Sequence, residues 1–144
     1  PVQASFEEIF FRGYLMQGIW SVIKRPVPLI IINSAIFSVL HWWNGATLSM
    51  SLSITVSTFI IGLVLALVTL ADDGVEMAMG VHIANNLYVS VIHSSPDAGL
   101  GNLPSLMVSP SDPYTAPLTL ILASALLVLI LFRGRYQDLG RIFR

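Results

Sequence analysis

Glu7 and Glu8, with Arg12 four residues beyond the second acid, are the residues of this chain best suited to chemistry. Each residue of an α-helix advances about 100°. Arg12 therefore stands about 40° from Glu8 and about 140° from Glu7. Glu8 and Arg12 are spaced for an ion pair, which leaves Glu7 without a partner. A poorly solvated carboxylate with no counter-ion is a candidate general base. The structural alternative is that both acids sit near a helix N-terminus only because the helix dipole favours them there.

Two further polar positions stand in apolar surroundings, His41 after Phe37 in FSVLH and His82 with Asn86 in HIANN. If the helices carrying Glu7 and His41 are antiparallel and joined by a short turn, those two residues lie at adjoining ends. A carboxylate and an imidazole placed so can share a water molecule. Beside Trp42 and Trp43, His41 also suits an interfacial role, since aromatic residues gather at membrane interfaces. His82 and Asn86 are four apart and share a helix face. They can stabilise a developing oxyanion, His82 can ligate a metal, or both can serve as interhelical hydrogen-bonding groups. His93 sits at a helix end, Asn85 is a weaker candidate, and Glu76 reads as a first-turn acid.

The elements that carry these residues are read from an apolar composition. The 144-residue chain is 55% hydrophobic and 10% charged, against roughly 25% charged in a soluble domain, and its mean hydropathy is +0.79. From Pro26 to Ala71 no formal charge occurs, a run long enough for two spans of about 20 residues. The net charge of −1 gives no sign of nucleic-acid binding, and zero cysteines exclude disulfides, thiolate catalysis and a cysteine zinc site. The expected fold is all-α, a polytopic transmembrane bundle of about five helices. They cover about Ala4–Ile23, Val27–Trp43, Met50–Leu70, Val75–His93 and Ala116–Phe132. Pro26 and Pro28 stop the first, Asn44-Gly45 ends the second, and Asp72-Asp73-Gly74 separates the third and fourth. The apolar runs are too long for spanning strands. A first unit, 1–95, would hold the four helices of the core. The remainder, 96–144, would hold a loop from Ser94 to Thr115, the last helix and a basic tail. Pro1 stands in place of an initiating Met, and the expectation is a C-terminal fragment of a longer membrane protein.

Glu7-Glu8-Ile9-Phe10-Phe11-Arg12, then Phe37 to His41, then His82 to Asn86, resemble in order the EExxxR, FxxxH and HxxxN motifs of the CAAX-protease and bacteriocin-processing family. These intramembrane endopeptidases include the Ras-converting enzymes. The resemblance covers roughly Ser5 to Ser90. It implies that Glu7 and His41 hold and activate the attacking water, that His82 and Asn86 stabilise the oxyanion, and that Glu8 with Arg12 orients the site. The family has been described both as metalloproteases and as metal-independent glutamate-type proteases. If a zinc ion is present, Glu7, His41 and His82 are its expected ligands; water activation without an obligatory metal is the favoured expectation. Substrates would be a prenylated C-terminal tail, a leader peptide or another membrane-anchored segment. The rival class is a non-catalytic membrane protein: an immunity or scaffold protein of the same fold, or a segment of a proton-linked transporter.

Lys24 and Arg25 in the first turn and Arg133, Arg135, Arg141 and Arg144 in the tail fall on one side if all five helices span. The positive-inside rule makes that side cytoplasmic and sends the Ser94–Thr115 loop outward. The chain has no native cysteine, so this is directly testable. A Ser109→Cys variant in intact cells should label with a membrane-impermeant thiol reagent, and a fluorescent protein fused after Arg144 should fluoresce. Exclusive labelling after permeabilisation would reverse the orientation.

Overall fold

The computed structural model describes residues 1–97, 104–110 and 112–143. Parts of the expected outward loop, and Arg144 of the tail, lie outside the described residues. The protein is an all-α bundle; among the described residues six helices follow the expected five and add a short one within the tail. Helix α1 covers 2–22. It begins as α-helix over Val2–Glu8, widens to π-helix over Ile9–Leu15 and returns to α-helix over Met16–Val22. Helix α2 is Pro26–Val39, with Pro26 at its first turn, where a missing N–H costs nothing. Helix α3 is Leu48–Asp72. Helix α4 runs α-helically over Glu76–Leu87 and closes with a π-helical turn, Tyr88–Ile92. Helices α5 and α6 are Thr115–Leu131 and Tyr136–Ile142.

One expectation needs correction. The second helix ends at Val39, four residues before Trp43, and the chain then passes through a turn into a single 3-10 turn at Trp42–Asn44. His41 therefore leaves the helix. The reason lies just beyond it: Gly45 rests so closely on the start of α3 that a Cβ there would run into the backbone of Met50 and Ser51. A helix continued through Trp43 could not make that approach. As expected, no strand spans the fold among the described residues; a two-residue parallel pairing joins β1 (His93–Ser94) to β2 (Met107–Val108) in the loop.

Helix α3 is the axis of the bundle and packs against α2, α4, α5 and α6. It is 25 residues long, roughly 37 Å at ~1.5 Å per residue. Among the described residues it is the one helix long and apolar enough by itself to cross a membrane; Pro26–Val39 and Thr115–Leu131 are shorter apolar helices. Thr47 caps its start by accepting from the Met50 N–H at 3.3 Å, which satisfies one of the free first-turn donors. Its end is closed by Asp73 in the left-handed conformation (φ 55°), and Gly74 N–H returns to the Thr69 carbonyl at 3.2 Å. The expected break at Asp72-Asp73-Gly74 thus has a local cause: Asp is one of the few residues that enter this conformation readily.

Two apolar clusters flank this axis. Val64, Leu65, Val68 and Ala71 of α3 pack with Ala78 of α4 and with Phe132, which is fully buried just after α5. Ala66 packs with Met16 of α1 and with Leu29 and Ile30 of α2. Helix α5 lies at the periphery, with Leu118, Ile121, Leu122, Leu126, Leu129 and Ile130 exposed. The tail is tied back by Arg135, which donates to Asp72 at 3.0 Å and Asp138 at 2.9 Å. These bonds hold the Arg135 guanidinium above its ordinary pKa.

Helices α2 and α3 meet closely where both residues are small. A Cβ on Gly62 would lie 3.1 Å from Ser34 Cβ and 3.4 Å from Phe37. Small residues at such contacts allow close helix approach. Gly62→Ala should be accommodated with a slight loss of stability. Gly62→Val should overpack the contact at a cost of about 1–3 kcal/mol, seen as a lower melting temperature in detergent. Equal melting of the two variants would show that the contact is not close-packed in solution.

Candidate active site

The candidate site lies where α1, α2 and α4 adjoin, and it is built around Glu8. Glu8 is 0% exposed. Its Oε1 accepts from Arg12 at 2.9 Å, across one turn of α1, and from His82 Nδ1 of α4 at 2.6 Å. A carboxylate paired with arginine can only accept, so Nδ1 of His82 carries the proton in that bond. Arg12 is itself buried and donates a second bond to the Gly62 carbonyl of α3 at 3.3 Å. Its guanidinium also lies over the Phe37 ring, 4.5 Å from the centroid, a cation–π arrangement. Three helices therefore place partners around the Arg12 charge, which burial would otherwise make costly.

Glu7 takes a different environment. It is partly buried, one oxygen accepts from Gln3 of the same helix at 2.8 Å, and the other lies 3.6 Å from His82 Nε2. That second oxygen is buried and has no hydrogen-bond partner among the described residues. The two ring nitrogens of His82 thus face the two adjacent acids.

Phe37 organises the rest. Its ring meets Phe11 edge-on at 5.1 Å, His82 edge-on at 5.8 Å and His41 at 4.6 Å. His41 is partly buried and its Nδ1 bonds to the Phe37 carbonyl at 2.8 Å. An acceptor carbonyl fixes the proton on Nδ1 and leaves Nε2 free to accept. No hydrogen bond or ion pair joins Glu7 to His41 among the described residues; the histidine closest to Glu7 is His82. Asn86 lies one turn beyond His82, partly buried, with its Oδ1 3.4 Å from the Asn85 amide. His93 stands apart, hydrogen-bonded to Ser109 at 2.7 Å. Glu76 is the first residue of α4.

Among the described residues no group of three or more His, Asp or Glu side chains is placed to hold a metal ion. Of the residues expected to hold a zinc ion, Glu7 and His82 lie 3.6 Å apart, and His41 and His82 both pack on the Phe37 ring. Nδ1 of each histidine bonds to an acceptor, the Phe37 carbonyl for His41 and Glu8 for His82, which leaves both Nε2 atoms as the free ring nitrogens.

One residue was missed by motif reasoning. Asn33 of α2 is fully buried and donates from Nδ2 to the Phe11 carbonyl of α1 at 2.8 Å. The signal was available, because Asn33 is a lone amide within the uncharged run Leu29 to Ala35. A polar residue in such a run is usually satisfied by a neighbouring helix.

Comparisons with known proteins bear on the family of the chain. The uncharacterized protein YyaK of Bacillus subtilis (strain 168) is 31% identical over 106 residues, which is 74% of this chain and 36% of that protein. The chain thus spans about a third of the length of the curated relative it matches. No solved structure matches it. The model of the type II CAAX prenyl endopeptidase Rce1-like family matches residues 1–88, a span that contains all three motifs. The chain belongs to this Rce1-like family.

Proposed function

We propose that this chain is the catalytic core of an intramembrane endopeptidase, with residues 1–95 carrying the site and 96–144 a loop, a closing helix and a cytoplasmic tail. The observation that carries the reading is the asymmetry of the acid pair. Glu8 is fully buried and held through Oε1 by Arg12 and His82, while Glu7 is only partly buried, forms no ion pair with an arginine among the described residues and lies 3.6 Å from the same imidazole; the second oxygen of each acid is buried without a hydrogen-bond partner among the described residues. Two acids with separate environments are what separate chemical roles require. Family membership supports proteolysis in a membrane setting.

In this mechanism Glu7 accepts a proton from a water molecule, and the hydroxide attacks the scissile carbonyl carbon. His41, with Nε2 able to accept, helps to hold that water. The carbonyl π electrons pass to oxygen, and His82 and Asn86 stabilise the resulting oxyanion. Donation from His82 Nε2 requires the doubly protonated ring, because Nδ1–H is committed to Glu8. The Glu7 carboxylic acid then returns its proton to the departing amine as the C–N bond breaks. Glu8 and Arg12 fix His82. The substrate is a peptide or protein segment held in the bilayer. A prenylated C-terminal tail is the form most consistent with the family, and a leader peptide is the alternative.

Full-length protein in liposomes, tested on a peptide panel, separates the two acids. Glu7→Gln keeps the shape and loses the base, so turnover should fall by about 10²–10⁴ with the melting temperature nearly unchanged. Glu8→Gln should lose both activity and stability, since breaking a buried ion pair costs about 3–5 kcal/mol. Normal turnover by folded Glu7→Gln would remove the assigned base.

No step in this scheme passes through a metal, and activity should survive exhaustive chelation. Loss on chelation with recovery at one equivalent of zinc would replace it by a metalloprotease mechanism with His82 as a ligand.

A further inference from the structure

We infer that Asn33 is a positioning residue that holds the widened turn of α1 and, through it, the contact between Glu8 and His82. This deepens the endopeptidase reading and rests on it. In a regular α-helix the Phe11 carbonyl would accept from residue 15. Here it accepts from the N–H of Met16, five residues on, as the π-helical segment Ile9–Leu15 requires. The same carbonyl takes the Asn33 amide at 2.8 Å. A carbonyl has two lone pairs, and both are used, one inside α1 and one across to α2.

Position makes this bond consequential. Phe11 is the residue before Arg12, and Arg12 is what neutralises Glu8. The π turn lies between the acids and the rest of α1, so its width sets where Glu7 and Glu8 sit relative to α2. Single wide turns of this kind are rare and are frequently found at functional sites. The Phe11 carbonyl, already bonded to Met16 N–H, takes its second donor from outside the helix. Asn33 is the side chain that donates to this carbonyl, and it is fully buried. On α2 it stands four residues before Phe37, whose ring touches Phe11, Arg12 and His82. One face of α2 therefore fixes both the backbone and the side chains of the motif segment.

The test uses the full-length protein with ¹⁵N-labelled histidine. Asn33→Leu keeps similar volume and removes the donor; Asn33→Ala is the second variant, should the first not fold. The control is Val68→Ala, in the apolar cluster of α3 away from the site, compared at matched loss of melting temperature. Misplacement of about 1 Å at a reacting group can cost roughly 10²-fold in rate. An Asn33 variant should lower kcat by at least tenfold with little change in KM. It should also move the His82 Nδ1 resonance away from its hydrogen-bonded value. The control should do neither. A folded Asn33 variant with wild-type kcat and an unmoved His82 signal overturns the inference. The resonance is read without turnover, so a wild-type protein that cleaves nothing would sink the endopeptidase reading and leave this arm intact.

Discussion

A carboxylate with no exposure to solvent, shared between an arginine and a histidine, is the constraint around which this bundle is arranged. Glu8 Oε1 is the meeting point of α1 and α4. Removing a charge from water is expensive, and the cost is offset only by close, well-directed partners. The charged and ring partners around Glu8 follow from that need. Arg12 neutralises Glu8, the Gly62 carbonyl and the Phe37 ring satisfy Arg12, and His82 closes the cluster from the opposite helix. The apolar clusters on either side of α3 then hold the helices that supply these groups.

The arrangement gives two neighbouring residues of the same type different chemical characters. Glu8 is committed through one oxygen to both Arg12 and His82. Glu7, one residue earlier, is turned toward His82 Nε2, only partly buried and held by Gln3 of its own helix. A single imidazole between two acids couples the structural half of the cluster to the half proposed to react. A disturbance of Arg12 would reach Glu7 without touching it.

Much of this was legible in residue spacing. The i, i+4 relation of Glu8 and Arg12 predicted their pairing, and turn residues such as Asp72-Asp73-Gly74 predicted where helices break. The apolar runs gave the number of long helices. Three features were not legible, for physical reasons. Helical periodicity at about 100° per residue assumes α geometry, so the π-helical turn at Ile9–Leu15 was invisible to it. The end of α2 is set by the contact of Gly45 with α3, a tertiary effect that local propensity does not encode. The neighbour of Glu7 depends on how α4 rotates about its own axis. Spacing puts His82 and Asn86 on one face but does not say which acid that face meets.

The wide turn in α1 also alters how its buried face is counted. Ala4, Glu8, Arg12 and Met16 are all buried, at steps of four. In a uniform α-helix each such step drifts by about 40°, so Met16 would stand about 120° around from Ala4. The extra residue accommodated between Ile9 and Leu15 winds much of that drift back. One face can then meet α4 at its beginning and α2 near its end. The length of this segment is therefore part of the site's specification. Deleting one residue from it would let the segment close as regular α-helix, with the flanks keeping nearly their present facing and the wide turn lost. What such a deletion removes is the carbonyl geometry by which Phe11 reaches both Met16 and Asn33.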